Sequence, residues 1–363
     1  MDSCIQWLGL KTAPGVGNRL FLNLIQHFGE ADKVFSASRE ALLQVEGVND
    51  RLVSAIQGYK IPKEVEEDLL LSRKNGVRII TFSDREYPPL LRHIHDPPPV
   101  LYVYGRLYPD SLNIAIVGSR NATPYGRTVT EHLSGDLVRR GFIVVSGMAR
   151  GIDSAAHIGA LAAGGKTVAV LGCGLGTVYP AENKRLFHRI AENGAVVSEF
   201  PFLTSPEAHN FPVRNRIISG MSLGAVIVEA TNQSGSLITA RLAAEQGREV
   251  FAVPGSISSF KSMGTHRLIK QGAKLVEHAD DIVEELNMAQ PAPSVHVKEE
   301  LTIRLTPEEK EILDELSPYP VHIDKLVRRL SLSAGRVSGL LLQLELKGLV
   351  TQSPGKFFAR SEI

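Results

Sequence analysis

The 363-residue chain is longer than one ordinary domain, and with 43% apolar and 22% charged residues it can bury cores in water. Its 40 basic and 39 acidic side chains leave a formal charge of +1, so a nucleic-acid partner would have to be met by local clusters, not by a bulk field. The two cysteines, Cys4 and Cys173, supply no disulfide framework or zinc cluster, MDSCIQWLGL is not expected to act as a leader because it lacks a basic start before an apolar stretch, and no run of about 18 apolar residues occurs. A cytoplasmic chain without membrane, metal or cofactor is expected.

Residues 1–60 read as short helices separated by glycine turns. APGVGNRLFLNLIQHFG and LLQVEGVNDRLVSAIQG share a small turn followed by an amphipathic helix. The pattern fits paired helix-hairpin-helix units whose turn amides could face a phosphate, with Arg19 and Arg51 beside the turns. With only those two cations beside the turns, a small helical packing domain without a ligand fits slightly better. Residues 61–110 are dense in proline, at Tyr87-Pro88-Pro89 and Asp96-Pro97-Pro98-Pro99, and are expected to form an extended connection.

Over 111–287 the β-branched runs NIAIVGS, FIVVSG, TVAVLG, AVVSE, AVIVEA, EVFAVPG and KLVEH alternate with helical stretches. Near-continuous apolar strands between helices predict an α/β, Rossmann-like, doubly wound parallel sheet. Residues 288–301, rich in Pro, Ala and charge, read as a linker. In 302–363, Thr306, Pro307 and Glu309 form a capping box, two further helices follow, and Ser353-Pro354-Gly355 turns a hairpin. Three helices and a hairpin describe a winged helix.

An open parallel sheet binds ligands at the carboxyl ends of its strands. There the sequence places Gly118, Ser119 and Arg120, then Ser146, Gly147 and Arg150, then Phe211, Arg214, Asn215 and Arg216. Ser234-Gly235-Ser236 follows a later strand. Arginine cannot escape repulsion by deprotonating, so four of them converging on one edge of a neutral chain point to an anion, with Gly and Ser giving close backbone approach. In FPVRNRIISG both guanidinium groups are expected at a helix start, where the dipole also attracts anions. GSRNATPYG does not match the dinucleotide fingerprint, and no GxxxxGK[ST] occurs, so neither a nicotinamide cofactor nor P-loop ATP hydrolysis is expected. Tyr125, Tyr179, Phe200, Phe202 and Phe211 are candidate stacking rings, with core packing the alternative for Phe200 and Phe202.

Asp153 and His157 lie one helical turn apart. They could be a general acid/base pair, or Asp153 could cap the helix while His157 fixes the turn beneath it. Glu199 and Glu229 end strands and are expected to hold arginines. No catalytic constellation is legible.

GSRNATPYG, SGMARGIDSAAH, VAVLGCGLGTVYPAENKRL, SEFPF, FPVRNRIISG, VEATNQSGSLITA and AVPG, in this order, resemble the DNA-processing protein A (DprA/Smf) family. Gly176 and His266 depart from the usual residues of its motifs. The resemblance implies a homodimeric protein without catalysis that binds and protects single-stranded DNA during natural transformation and loads a RecA-type recombinase. Its DNA pocket would use Gly118, Ser119, Arg120, the Ser146–Arg150 loop and the Phe211–Arg216 loop, with residues 264–276 a candidate for self-association or recombinase contact. The candidate recognition helix carries Arg336, Gln343 and Lys347 but also Glu345, which favours a protein-contact or accessory role for the winged helix. The rival reading is a nucleotide-binding or nucleotide-hydrolysing enzyme of Rossmann-like fold using Asp153 or Glu229; a third is a transcription regulator acting through the winged helix.

Overall fold

A computed structural model describes residues 3–286, 305–330 and 332–361. Five short helices open the chain: α1 (Ser3–Thr12), α2 (Asn18–Phe28), α3 (Ala31–Ser36), α4 (Arg39–Leu43) and α5 (Asp50–Gln57). The duplication seen in the sequence is present in the backbone. Val16 N bonds Ala13 O and Phe21 N bonds Gly17 O, while Val48 N bonds Val45 O and Val53 N bonds Asn49 O. Gly15 (φ 84°) and Gly47 (φ 90°) occupy the same left-handed place in the two turns. Trp7, Phe21 and Leu24 share one continuous core with Ala169, Leu171 and Val196 of the central sheet, so these helices and the sheet pack as one body.

The extended connection expected over 61–110 is instead largely regular. It holds α6 (Lys63–Lys74) and the strands β1 (Val77–Thr81) and β2 (Val100–Gly105). Pro88, Pro89, Pro97, Pro98 and Pro99 lie between the two strands, where they cost no ladder bond, while Pro62 precedes the first residue of α6 and Pro109 follows β2. Buried Tyr87 closes that loop by donating its hydroxyl to Pro98 O at 2.9 Å.

Then come β3 (Leu112–Gly118), α7 (Pro124–Arg139), β4 (Phe142–Ser146), α8 (Ile152–Ala162), β5 (Thr167–Val170), α9 (Lys184–Asn193), β6 (Ala195–Ser198), α10 (Asn210–Gly220), β7 (Gly224–Val228), α11 (Ser236–Glu245), β8 (Glu249–Ala252), α12 (Met263–Lys270), β9 (Lys274–Leu275) and α13 (Ala279–Glu285). One sheet runs in the order β1-β2-β6-β5-β4-β3-β7-β8-β9. From β6 to β9 all neighbours are parallel, whereas β1 and β2 add an antiparallel edge. The expected doubly wound class is therefore present. The chain leaves β3 in one direction through β4, β5 and β6, then returns to β3's other side with β7. That reversal opens a crevice at the carboxyl ends of β3 and β7.

The second compact unit contains α14 (Pro307–Glu315), β10 (Val321–His322), α15 (Ile323–Leu330), α16 (Ala334–Leu346), β11 (Val350–Ser353) and β12 (Phe357–Arg360). Its strands order as β10-β12-β11, giving the expected winged helix. The capping box is made: Glu309 N donates to Thr306 Oγ1 at 3.3 Å and Thr306 N to Glu309 Oε2 at 2.8 Å. The linker expected over 288–301 lies outside the described residues.

Candidate nucleic-acid site

A cleft of about 920 Å³ occupies the crevice at the switch point. Gly118 forms its floor, because a Cβ there would collide with Val228 O of the adjoining strand. Ser119 is next in the chain, with its carbonyl accepting from Ile152 N at 3.1 Å and its Oγ from Asn121 N at 3.2 Å. Arg120 is exposed, and its guanidinium lies 5.4 Å from the centre of the Phe211 ring.

Arg214 takes a different place from the one its sequence suggests. The helix α10 begins at Asn210, so Arg214 sits in its second turn instead of at its head. The side chain is 4% exposed; its Nη1 donates to Gly147 O at 2.9 Å and to Val170 O, at the ends of two neighbouring strands. Gly147 is what admits it: a Cβ there would lie 2.6 Å from the guanidinium nitrogens. Burial pushes the Arg214 pKa down to about 10, against the attraction of Asp153, so the group remains charged at neutral pH. Its guanidinium is 5.9 Å from the Phe211 ring, and Tyr179 is 5.6 Å from that ring on the cleft wall. Asn215 Oδ1 accepts from Arg214 Nε at 3.2 Å. One aromatic ring is thus flanked by two cations and a second ring.

Other expected members are not brought to the cleft. Arg216 lies two residues beyond Arg214, about 200° around the helix. It is buried, with Nη1 and Nη2 bonded to Glu199 at 2.6 and 2.7 Å and Nε to Asp96 Oδ2 at 3.2 Å. Lys11 from α1 donates to Glu199 O in the same network, and burial lowers its pKa. Arg216 therefore fastens α10 to the frame and presents no donor to a ligand in the cleft, and Glu199 holds an arginine as expected. Arg150 is thrown outward where the loop turns through Met148 (φ 54°) and Gly151 (φ 75°), and it pairs with exposed Glu182. Ser146 is buried and donates to Ile116 O at 2.6 Å, tying β4 to β3. Phe202 is core, with its amide held by Asp68 at 2.7 Å; Phe200 and Tyr125 do not line the cleft.

Asp153 and His157 do not act together. The N-cap of α8 is Gly151; buried Asp153 instead accepts from Ala149 N at 3.4 Å, and burial raises its pKa while Arg214 opposes the rise. His157 is wholly buried. Thr167 Oγ1 donates to Val144 O at 2.6 Å, so it accepts from His157 Nδ1–H at 2.7 Å. Burial, reinforced by Arg214, holds the imidazole pKa at about 3. It is a neutral tie between α8 and β5, and does not reach the turn. Glu229 is buried just after β7 with φ 50°, a left-handed conformation that costs a non-glycine residue about 1 kcal/mol or more.

The sequence reading missed Asn121, Phe260 and Lys261, which also line the cleft. Lys261 Nζ donates to Asn121 O and ties the loop after β8 to the loop that carries Arg120. The available signal was an aromatic-lysine pair in the serine-rich SISSFKS loop at a strand end. In the winged helix, the cations of α16 and its C-cap are largely neutralised: Arg336 Nε bonds Glu308 at 3.0 Å and Lys347 bonds Glu309 at 2.7 Å.

A doubly wound sheet with a cationic, aromatic cleft at its switch point, followed by a winged helix, defines a class of nucleic-acid-handling proteins. Residues 78–287 match the family model for DNA recombination-mediator protein A, and residues 296–356 match the DprA winged helix domain. The chain is 36% identical to the Smf protein of Synechocystis, with 98% of each covered, and 45% identical to DprA of Bacillus subtilis over 59% of this chain and 73% of that one. The crystal structure of Streptococcus pneumoniae DprA superposes with a TM-score of 0.66 at 33% identity, covering 77% of this chain and 96% of that one. Helicobacter pylori DprA, described for its single-stranded DNA binding mode, gives 0.52 at 31% identity over 58% and 96%. The chain belongs to the DprA/Smf family and is a DNA-processing protein.

Proposed function

We propose that the cleft binds single-stranded DNA, with Arg120 and Arg214 meeting phosphates and Phe211 stacking on a base. The observation that carries this reading is the Phe211 ring set between those two guanidinium groups above the switch point. Gly118 and Ser119 allow a strand to approach the backbone, Gly147 makes room for Arg214, and Asn215 orients it. Such a site favours single strands because an unpaired base can leave its stack for a ring. Protection of incoming DNA in natural transformation and delivery to a RecA-type recombinase belong to the same reading, supported by family membership. Self-association through the Rossmann-like unit fits the exposed edge strand β9 and its neighbour α12, since an open edge is a template for pairing. A cytoplasmic setting is consistent with the described helices, of which none is long and apolar enough to cross a membrane.

The test is binding of the full chain to oligo-dT and to duplex of equal length across a salt series. Each phosphate neutralised on a single strand contributes about −0.7 to the log–log salt slope. Arg120→Ala, an exposed change, should weaken oligo-dT binding and flatten the slope by about that amount with no loss of thermal stability. Equal affinity for duplex, or an unchanged slope in that variant, would overturn the assignment.

A further inference from the structure

Phe260 is 64% exposed, yet it lines the same cleft as Phe211. A large ring left in water on a serine-rich loop needs a reason, and its setting supplies one. The loop is braced along its length: Ser259 N bonds Ser256 O at 3.0 Å, Ser262 N bonds Ser259 O at 3.1 Å, and Lys261 reaches Asn121 O. The loop is therefore held by backbone turns and one lysine, whose Nζ lies 6.0 Å from the centre of the Phe260 ring.

The sheet order gives the spacing. Phe211 packs against Gly172 just after β5, where an added Cβ would lie 2.9 Å from its ring. Phe260 comes after β8, and β4, β3 and β7 lie between. Four strand spacings of about 4.8 Å put the ends of β5 and β8 roughly 19 Å apart, and Lys261 draws the later loop back toward Asn121. One strand laid across the strand ends passes both loops, with Arg120 between them.

We propose that Phe260 is a second base-stacking platform of this cleft, engaging a different nucleotide of the strand that stacks on Phe211, and that Lys261 positions it. This rests on the reading of the cleft as a single-strand site. The experiment measures oligo-dT affinity of the full-length protein with Phe260→Ala, Phe260→Leu and Phe260→Trp, across salt, together with size-exclusion light scattering. Stacking contributes little to counterion release, so Phe260→Ala should weaken binding about five- to tenfold with an unchanged salt slope. Phe260→Leu should be equally weak, because it restores apolar bulk without a π-face, and Phe260→Trp should bind at least as tightly as the native chain. Wild-type affinity in Phe260→Ala, full rescue by leucine, or a changed oligomeric state in Phe260→Ala would each overturn the proposal. Failure of the native protein to bind oligo-dT would instead bring down the underlying site assignment.

Discussion

Arg216 separates a structural arginine from a ligand-binding one, and the two roles predict opposite results. In Arg216→Ala, Glu199 loses both of its bonds to the guanidinium and Asp96 loses two, at its carbonyl and its Oδ2, and the Glu199 side chain is only 8% exposed in the native fold. Lys11 stays near, but its bond is to the Glu199 carbonyl. Removing one partner of a buried pair costs about 3–5 kcal/mol, chiefly because the other charge is left without compensation. At roughly 2–4 °C per kcal/mol for a domain of this size, the first unit should melt about 6–20 °C earlier. The assay is differential scanning calorimetry of native, Arg216→Ala and Arg120→Ala proteins beside oligo-dT titrations at a temperature where all remain folded. Arg216→Ala should lose stability and retain the native salt slope; Arg120→Ala should do the reverse. An Arg216→Ala protein that melts like the native one but binds with a flatter slope would refute the placement of Arg216 in the frame.

Gly147→Ala should displace the Arg214 guanidinium, which lies 2.6 Å from the added carbon, and weaken oligo-dT binding at least tenfold; an oligo-dT titration of that variant checks it. His157, with its folded pKa depressed to about 3 from an unfolded value near 6.5, binds its proton more readily unfolded, so its penalty is absent above pH about 6.5 and grows as pH falls toward 3, by about 1.4 kcal/mol per unit. NMR titration should show a neutral imidazole at pH 5, and urea denaturation of His157→Gln should show a shallower acid loss than the native chain. Thr306→Ala, which removes the cap of α14, should destabilise the winged-helix unit by about 1 kcal/mol in urea unfolding and leave oligo-dT affinity unchanged.

The sheet was legible because parallel strands buried on both faces read as unbroken apolar runs, and the glycines ending them marked the cleft. VRIIT and VLYVYG were not, since proline density averaged over 61–110 hides the fact that most of the prolines fall between the strands. The pairing of Arg214 with Arg216 misled for a geometric reason. Two residues apart is one face of a strand but nearly opposite faces of a helix, and the helix started four residues earlier than the charges implied. Ser146 and Arg150 lie on either side of Gly147, which makes room for Arg214, but a serine hydroxyl can equally close a strand-to-strand bond, and a left-handed turn reverses which way an arginine leaves. No one-dimensional pattern reports such reversals.

Arg214 has a consequence for what evolution can substitute there. Its Nη1 is committed to two main-chain carbonyls, so the cation is wired to the ends of β4 and β5 and does not wave on a flexible stem. A lysine offers a compact ammonium in place of a planar fork, and in a desolvated seat it would shed its proton far sooner than a guanidinium. The charge would then become conditional on the acidity of its surroundings. With arginine it is a permanent fixture, as constant as the backbone that grips it.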